Sequence, residues 1–402
     1  MPEGQGVVIT GLGLVLPPCA GLAAADATFQ GRSAVSLLPS IDGIPDATGA
    51  AVHGFKPPPG AEAADRAVQF AVFAADEAWA GAGLERSSPP PERIATVVSL
   101  SKGPLRTLAH RARHPRDATP LWPALSPDAA ATAIALRRGL AGPVLAPVTA
   151  CASGGHALAW GASLIARGRA DAAIVGAAEA SLHPLVIGSY RRMGVLADGG
   201  DDPARSVRPF SATRRGFAIG EGAGILVLES EASAARRGAR PLACIRGWAT
   251  GSQACGLAAM EPTGEALSRL IAGVLARAGL AAEAVDYIHA HGTATPDNDA
   301  AEARAICRAL GPAAARVSVS STKGSHGHLL GAATAVELVL TVLAMRRGEA
   351  PPTANLTDPD PAIRLDCTPL AARRRPMRCA LKMASGFGGQ MAAIVLTSPA
   401  ET

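Results

Sequence analysis

Two stretches decide how this chain is read: Gly216-Phe-Ala-Ile-Gly-Glu-Gly-Ala-Gly-Ile-Leu-Val-Leu-Glu-Ser230 and Gly386-Phe-Gly-Gly-Gln-Met-Ala-Ala-Ile-Val-Leu-Thr-Ser398. Each runs from a Gly-Phe turn into an apolar strand. A second pair repeats the offset: Val148-Thr-Ala-Cys-Ala-Ser-Gly-Gly-His-Ala-Leu158 is echoed by Val319-Ser-Ser-Thr-Lys-Gly-Ser-His-Gly-His-Leu329. Both echoes lie about 170 residues apart, so the chain is expected to hold two copies of one α/β unit. We place them at 1–240 and 241–402, with an active site where they meet. The length agrees, since 402 residues exceed the ~250–300 at which a single core stops growing.

Hydrophobic residues make up 48% and charged residues 18%, which supplies a buried interior and excludes disorder. Aromatics are only 3%, and 44 glycines predict a core that packs backbone close to backbone. Short β-branched runs alternate with Ala-rich stretches, the mark of α/β layering. Residues 7–11 and 94–99 read as buried strands. Residues 66–82 read as a helix, with Val68, Phe70, Ala71, Phe73, Ala74 and Ala78 at helical spacing. Prolines at 57–59 and 89–91 read as surface turns.

Several classes fall away. The start, Met1-Pro-Glu-Gly-Gln-Gly6, has neither the basic nor the apolar segment of a secretory leader. No apolar run reaches the ~18 residues of a membrane span. Seven cysteines, at 19, 151, 244, 255, 307, 367 and 379, form no disulfide pattern and fit the reduced thiols of a cytoplasmic protein. The formal charge of +5 comes from arginines in short groups: Arg111/Arg113/Arg116, Arg191/Arg192, Arg214/Arg215 and Arg373/Arg374/Arg375. Such groups suit an acidic protein partner met by steering. Without interleaved aromatics they argue against nucleic acid.

The chemistry gathers in four turns. In Thr149-Ala-Cys151-Ala-Ser-Gly-Gly-His156 an apolar strand over 144–148 runs into an Ala-rich helix, which puts Cys151 at a helix amino terminus. There the N–H groups favour a thiolate and can hold an oxyanion; from this motif alone a buried structural cysteine remains the other reading. In Tyr287-Ile-His-Ala-His291-Gly-Thr293-Ala-Thr295-Pro a strand delivers His291, with two hydroxyls close by. In Val319-Ser-Ser-Thr-Lys323-Gly-Ser-His326-Gly-His328 another strand reaches a glycine turn carrying Lys323 and His328. The turn Gly386-Phe387-Gly388-Gly389 offers a second oxyanion N–H and a mobile aromatic. His289-x-His291 and His326-x-His328 also have zinc-like spacing, but hydroxyls and a lysine surround them rather than carboxylates. His289 and His326 are therefore read as structural, and no metal is expected.

These motifs, in this order, resemble the β-ketoacyl-acyl-carrier-protein synthases, or ketosynthases, of the thiolase superfamily. The resemblance runs from Val8-Ile-Thr-Gly-Leu-Gly13 through Gly220-Glu-Gly-Ala-Gly224 to Gly386-Phe-Gly-Gly389. It implies a thiolase-like fold, two α/β halves in a five-layered αβαβα arrangement. It also implies decarboxylative Claisen condensation of an acyl thioester with malonyl-acyl carrier protein, without cofactor, the phosphopantetheine arriving on the carrier. Cys151 would carry the acyl group, and His291 and His328 would stabilise the enolate. Cys151 and Phe387 would form the oxyanion hole beside Gly388, with Phe387 as gate. Lys323 would hold the His328 region with Glu337 or Glu302 as its acid, and Thr293 and Thr295 would bind phosphopantetheine. Tyr190 falls where the family has a pocket aromatic; a polar acyl wall and an ordinary core tyrosine both stay open. Partners would be an acyl carrier protein and a second subunit, identical or related, in a dissociated polyketide, polyene or fatty-acid-type system.

The chain also departs from the family. Gln253-Ala-Cys-Gly-Leu-Ala-Ala-Met260 lacks the usual Asp and His, and Pro209-Phe-Ser-Ala-Thr-Arg-Arg-Gly-Phe217 lacks two usual acids. Met383-Ala-Ser385 and Gln390-Met391 replace the residues flanking the last glycine turn, and 102–127 is unusually rich in Pro and Arg. The gate, the acyl pocket and the partner are where a specialised pathway would show. Alternatives to condensation are acyl transfer without decarboxylation, a non-catalytic partner subunit, which typically loses the nucleophile, and a thiolase. A thiolase would need a second cysteine in the last glycine turn, whereas Cys379 precedes it.

Overall fold

The computed structural model describes residues 6–39, 41, 43–114 and 122–399. The first five residues, Arg116 and the middle of the 102–127 stretch lie outside them. The β-branched and leucine-rich runs become ten principal strands. The first five are β1 (Val7–Leu16), β2 (Ile94–Leu100), β3 (Val144–Leu145), β4 (Ala172–Glu179) and β5 (Gly222–Ser230). The others are β6 (Ala243–Ser252), β7 (Tyr287–His289), β8 (Ser318–Ser320), β9 (Cys379–Ser385) and β10 (Gln390–Thr397).

The strands line up as β3-β2-β4-β5-β1 and then, mirrored across a β1–β6 pairing, as β6-β10-β9-β7-β8. In each set the last strand of the chain order, β5 or β10, runs antiparallel to its neighbours and the other four run parallel to one another. Even the irregularities repeat. The β1–β5 register slips between Ile9 and Gly11, and the β6–β10 register slips between Ile245 and Gly247.

Helices α1 (Arg66–Gly81), α2 (Ala129–Arg138), α3 (Ser153–Ala166), α4 (Glu265–Ala278), α5 (Pro296–Leu310) and α6 (Ala333–Arg347) complete the layers. Alternation along the strands shows which face meets which helix. In β5, Ile225 and Val227 face Phe70 and Ala74 of α1, while Leu226 and Leu228 face a central cluster with Leu158 of α3 and Leu338 of α6. In β10, Ala393 and Val395 face Ile271 of α4 and Ile306 of α5, while Ile394 and Leu396 point to that same centre. The stack is therefore αβαβα, with α3 and α6 in the middle. Every residue of α6 from Ala333 to Val342 is buried, as expected of a helix without a polar stripe.

Glycines let these layers close up. A Cβ at Gly224 would lie 2.4 Å from the Val336 nitrogen, and one at Gly154 would lie 2.6 Å from the Ala335 nitrogen. Strand and helix thus meet α6 backbone to backbone. Local readings need adjustment: only Val144–Leu145 of 144–148 is a strand, and the strand predicted at 7–11 continues to Leu16. Arg214 is not a surface residue. Its guanidinium is buried, bonded to Asp360 at 2.7 Å and to the carbonyls of Ser211 and Pro296, while Arg215 stays exposed. No helix among the described residues is long and apolar enough to cross a membrane.

Candidate active site

The chain leaves β3, turns through Ala150 and enters α3, and this turn is built from its own polar groups. Ser153 Oγ donates to the Ala150 carbonyl at 2.7 Å and accepts the Thr149 N–H at 2.9 Å. Thr334, at the head of α6, donates to the Cys151 carbonyl at 2.8 Å. Ala150 takes a φ of 49°, a left-handed conformation that a non-glycine residue holds only when its surroundings impose it. Cys151 is thereby fixed at the head of the central helix.

Its thiol is buried, and this opposes the low pKa expected from a helix terminus. Burial pushes Cys151 up to about 11, against the opposing pull of Lys102 and Lys323. Removal from water outweighs the favourable charges here.

His291 follows β7 and His328 follows the short helical turn Lys323–His326. Their rings lie 5.3 Å apart, edge to face, and line one small cavity with Cys151, Thr293, Thr295 and Phe387. The cavity has about 100 Å³ of open volume, well under the roughly 300–1,000 Å³ of ordinary ligand pockets. A larger open groove of about 1290 Å³ around Arg346, Arg374 and Arg378 contains none of the candidate residues. Both imidazoles are held neutral: burial, then Lys323, keeps each well below the ordinary histidine range. His328 Nδ1 accepts the Leu330 N–H at 3.2 Å, so the ring proton belongs on Nε2. The His328 backbone is pinned to the first half through the Ala218 carbonyl at 2.7 Å and the Gly220 N–H at 2.9 Å. Residues of both halves thus meet in one place, as the sequence repeat anticipated.

Of the two acids offered as partners for Lys323, Glu337 takes the ion pair. Glu302 does a different job, accepting the N–H groups of His291 and Gly292 at 2.5 and 2.7 Å. Burial pushes Glu302 up to about 7, with those two N–H groups opposing the rise. Burial alone would raise Glu337, yet Lys323 and Lys382 hold it well below the carboxylate range. Lys382 was missed in the sequence. It is fully buried, and its ammonium lies 2.6 Å from Glu337 Oε2. Only four lysines occur in the chain, and two of them share this carboxylate, so their rarity was the available signal.

His289 and His326 are internal struts. His289 bonds the Thr341 and Thr322 hydroxyls at 3.0 Å each, and His326 bonds the same Thr322 hydroxyl at 2.8 Å. Thr293 and Thr295 hydrogen-bond one another at 2.8 Å at the cavity wall, and Arg214 braces the same turn through the Pro296 carbonyl.

The last glycine turn sits on the nucleophile: a Cβ at Gly386 would be 3.1 Å from the Cys151 nitrogen. Gly388 is not a free oxyanion donor, because its N–H is given to the Leu257 carbonyl at 2.7 Å. The Gly389 carbonyl accepts the Gln253 N–H at 2.9 Å, so the divergent 253–260 loop is tied to the Phe387 turn at two points. Phe387 stacks on Tyr190 with centroids 5.8 Å apart, and Tyr190 meets Phe217 edge-on at 5.9 Å. The Tyr190 ring thus belongs to the aromatic wall beside Cys151.

Comparison with known proteins matches this architecture. The N-terminal domain of β-ketoacyl synthases matches residues 5–234 and the C-terminal domain matches residues 242–357. The ketoacyl synthase alpha subunit of the tetracenomycin polyketide synthase of Streptomyces glaucescens is 37% identical, over 98% of each chain. The 3-oxoacyl-[acyl-carrier-protein] synthase 2 of Coxiella burnetii is 36% identical, over 98% of this chain and 99% of its own. Among solved structures, a chain from a type II polyketide synthase acyl-carrier protein in complex with its ketosynthase bound to the hexaketide superposes with a TM-score of 0.91 at 31% identity, covering 99% of this chain and all of that one. A chain of the ishigamide ketosynthase/chain length factor gives 0.88 at 30% identity, covering 98% of this chain and all of that one. With the fold, the ordered turns and the matches along both halves agreeing, the chain belongs to the β-ketoacyl synthase family of the thiolase superfamily.

Proposed function

We propose that this protein extends an acyl chain held on Cys151 by two carbons, through decarboxylative condensation with a malonyl group carried on an acyl carrier protein. The observation that carries the reading is the pair of neutral imidazoles facing the thiol's cavity. In the first step Cys151 sulfur attacks the acyl thioester, its proton leaves with the departing carrier thiol, and backbone N–H groups of Cys151 and Phe387 receive the oxyanion. In the second step the malonyl C–C bond breaks, CO2 leaves, and its electron pair forms an enolate. His291 and His328, each neutral with one ring N–H, donate hydrogen bonds to that enolate oxygen. The enolate carbon then attacks the acyl carbon on Cys151, and the thiolate leaves. Thr293 and Thr295 would bind the phosphopantetheine arm, and the malonyl unit supplies its own leaving group, so the scheme calls for no cofactor.

The small cavity indicates a closed gate, which Phe387 and the 253–260 loop would open together for substrate. The tetracenomycin relative and the type II polyketide synthase ketosynthase support a dissociated polyketide-type pathway, and the equally similar Coxiella 3-oxoacyl-[acyl-carrier-protein] synthase 2 supports a fatty-acid-type one as the second reading. We further propose a cytoplasmic dimer, with either a second copy or a related subunit, the latter supported by the pairing in the ishigamide ketosynthase/chain length factor. A thiolase is disfavoured because Cys379 lies at the start of β9 and Ser385, beside the glycine turn, at its end.

The test is intact-mass analysis of carrier proteins after incubation with acyl- and malonyl-carrier protein. Wild type should give the β-ketoacyl product. Cys151→Ala should lose acyl loading, and His291→Ala should load yet release CO2 about 100-fold more slowly, the loss typical of an oxyanion donor. Acyl transfer without CO2 release by wild type, across a panel of carriers, would overturn the condensation reading in favour of a simple acyltransferase. Activity appearing only with a second subunit would establish the heterodimer.

A further inference from the structure

We propose that Lys382 is a second positioning residue for His291, acting with Lys323 through the shared carboxylate of Glu337; the inference rests on the condensation reading above. The three charged groups are fully buried, two positive and one negative. The Lys382 ammonium is ion-paired with Glu337 Oε2 at 2.6 Å and donates to the Ala290 carbonyl at 3.1 Å and the His289 carbonyl at 3.3 Å. Lys323 takes the next carbonyl, that of His291, and Glu302 takes the N–H groups of His291 and Gly292. The chain that leaves β7 is therefore gripped at three successive carbonyls by cations and at two successive N–H groups by an anion. Lys382 alone holds two of those carbonyls, and Lys323 alone would hold only that of His291.

The arrangement also sets charge. Two ammonium groups stand against Glu337, and Glu302, pushed up to about 7, offsets the second only in part at neutral pH. His291 faces Lys323, Lys382, His328 and Glu337, with Glu302 on its backbone, and the surplus cation disfavours the imidazolium. Burial brings Lys382 down to about 8, so it still carries its charge at neutral pH. Its place at the middle of β9, opposite His289 of β7, ties the histidine turn to the strand that ends at the Phe387 gate.

The test is Lys382→Met, which keeps an unbranched chain and leaves Glu337 its pair with Lys323. The readouts are CO2 release from malonyl-carrier protein from about pH 8 down to the acid limit of the folded protein, Cys151 loading, and the histidine titration by NMR over the same range, with His291→Ala to assign it. The expected result is an acid limb moved upward by about half a pH unit or more and CO2 release reduced about tenfold at neutral pH, with loading changed less than about twofold. Lys382→Arg, which restores the charge, should return the limb toward its original position. A folded Lys382→Met variant with an unmoved limb overturns the proposal, whether its rates are unchanged or fall equally in both steps. If wild type releases no CO2, the condensation reading fails instead, and an unmoved His291 titration in Lys382→Met then still overturns the role of Lys382.

Discussion

Cys151 combines a helix amino terminus, which favours the thiolate, with burial, which opposes it, and burial wins, at about 11. The thiol is therefore protonated at neutral pH and gives up its proton as it is acylated. Peptide mapping after alkylation should show the Cys151 rate climbing about tenfold per pH unit through pH 7–9 without a plateau. A plateau below pH 7 would show a standing thiolate. Glu337 gives a second expectation. Glu337→Gln leaves two buried ammonium groups without a counter-charge, which should destabilise the fold by about 3–5 kcal/mol in urea denaturation. At this scale the sequence was informative about identity: Cys151, His291, His328 and Lys323 were all legible from their turns. It was silent on who pairs with whom. Glu337 and Glu302 lie on different helices, and nothing in their spacing says that one takes a lysine and the other two backbone N–H groups.

Turns and loops show the same division. The strand-turn-helix character of the Cys151 segment was legible because Gly, Ser and Ala cluster between an apolar run and an Ala-rich one. The coupling of loop 253–260 to the Phe387 turn was not, since it is made of backbone hydrogen bonds across more than 130 positions of chain. Gly389 tests that coupling. Its φ is +78°, and a Cβ there would sit 1.9 Å from the Gln253 carbonyl oxygen. Gly389→Ala should cost about 1–3 kcal/mol and slow Cys151 loading, seen as a lower melting temperature and a slower mass shift. Loading at the wild-type rate would mean the two loops move independently. Gly224 makes the corresponding point in the core: Gly224→Ala would push into the Val336 backbone of α6 and should destabilise by about 1–3 kcal/mol without touching the cavity.

Among the described residues, the large sheet has an exposed end in the first half. β3 closes the strand order of the first half, and Val144, Leu145 and Val148 are 38%, 37% and 51% exposed there. A hydrophobic edge of that kind invites pairing with another chain. For the dimer proposed above, Leu145→Arg should shift the sedimentation-velocity profile toward monomer, and an unchanged dimer would place the interface elsewhere. What the sequence by itself determined is the duplication, the α/β class and the four chemical turns, because hydrophobic period, glycine placement and repeat offset are local properties that survive without coordinates. Only the tertiary structure decided that α6 is enclosed on all sides, that Arg214 is internal, that Gly388 is already bonded and that Lys382 joins the site. Each of those depends on which distant backbone comes within hydrogen-bond reach, and on water being excluded there, and neither is written in the spacing of residues along the chain.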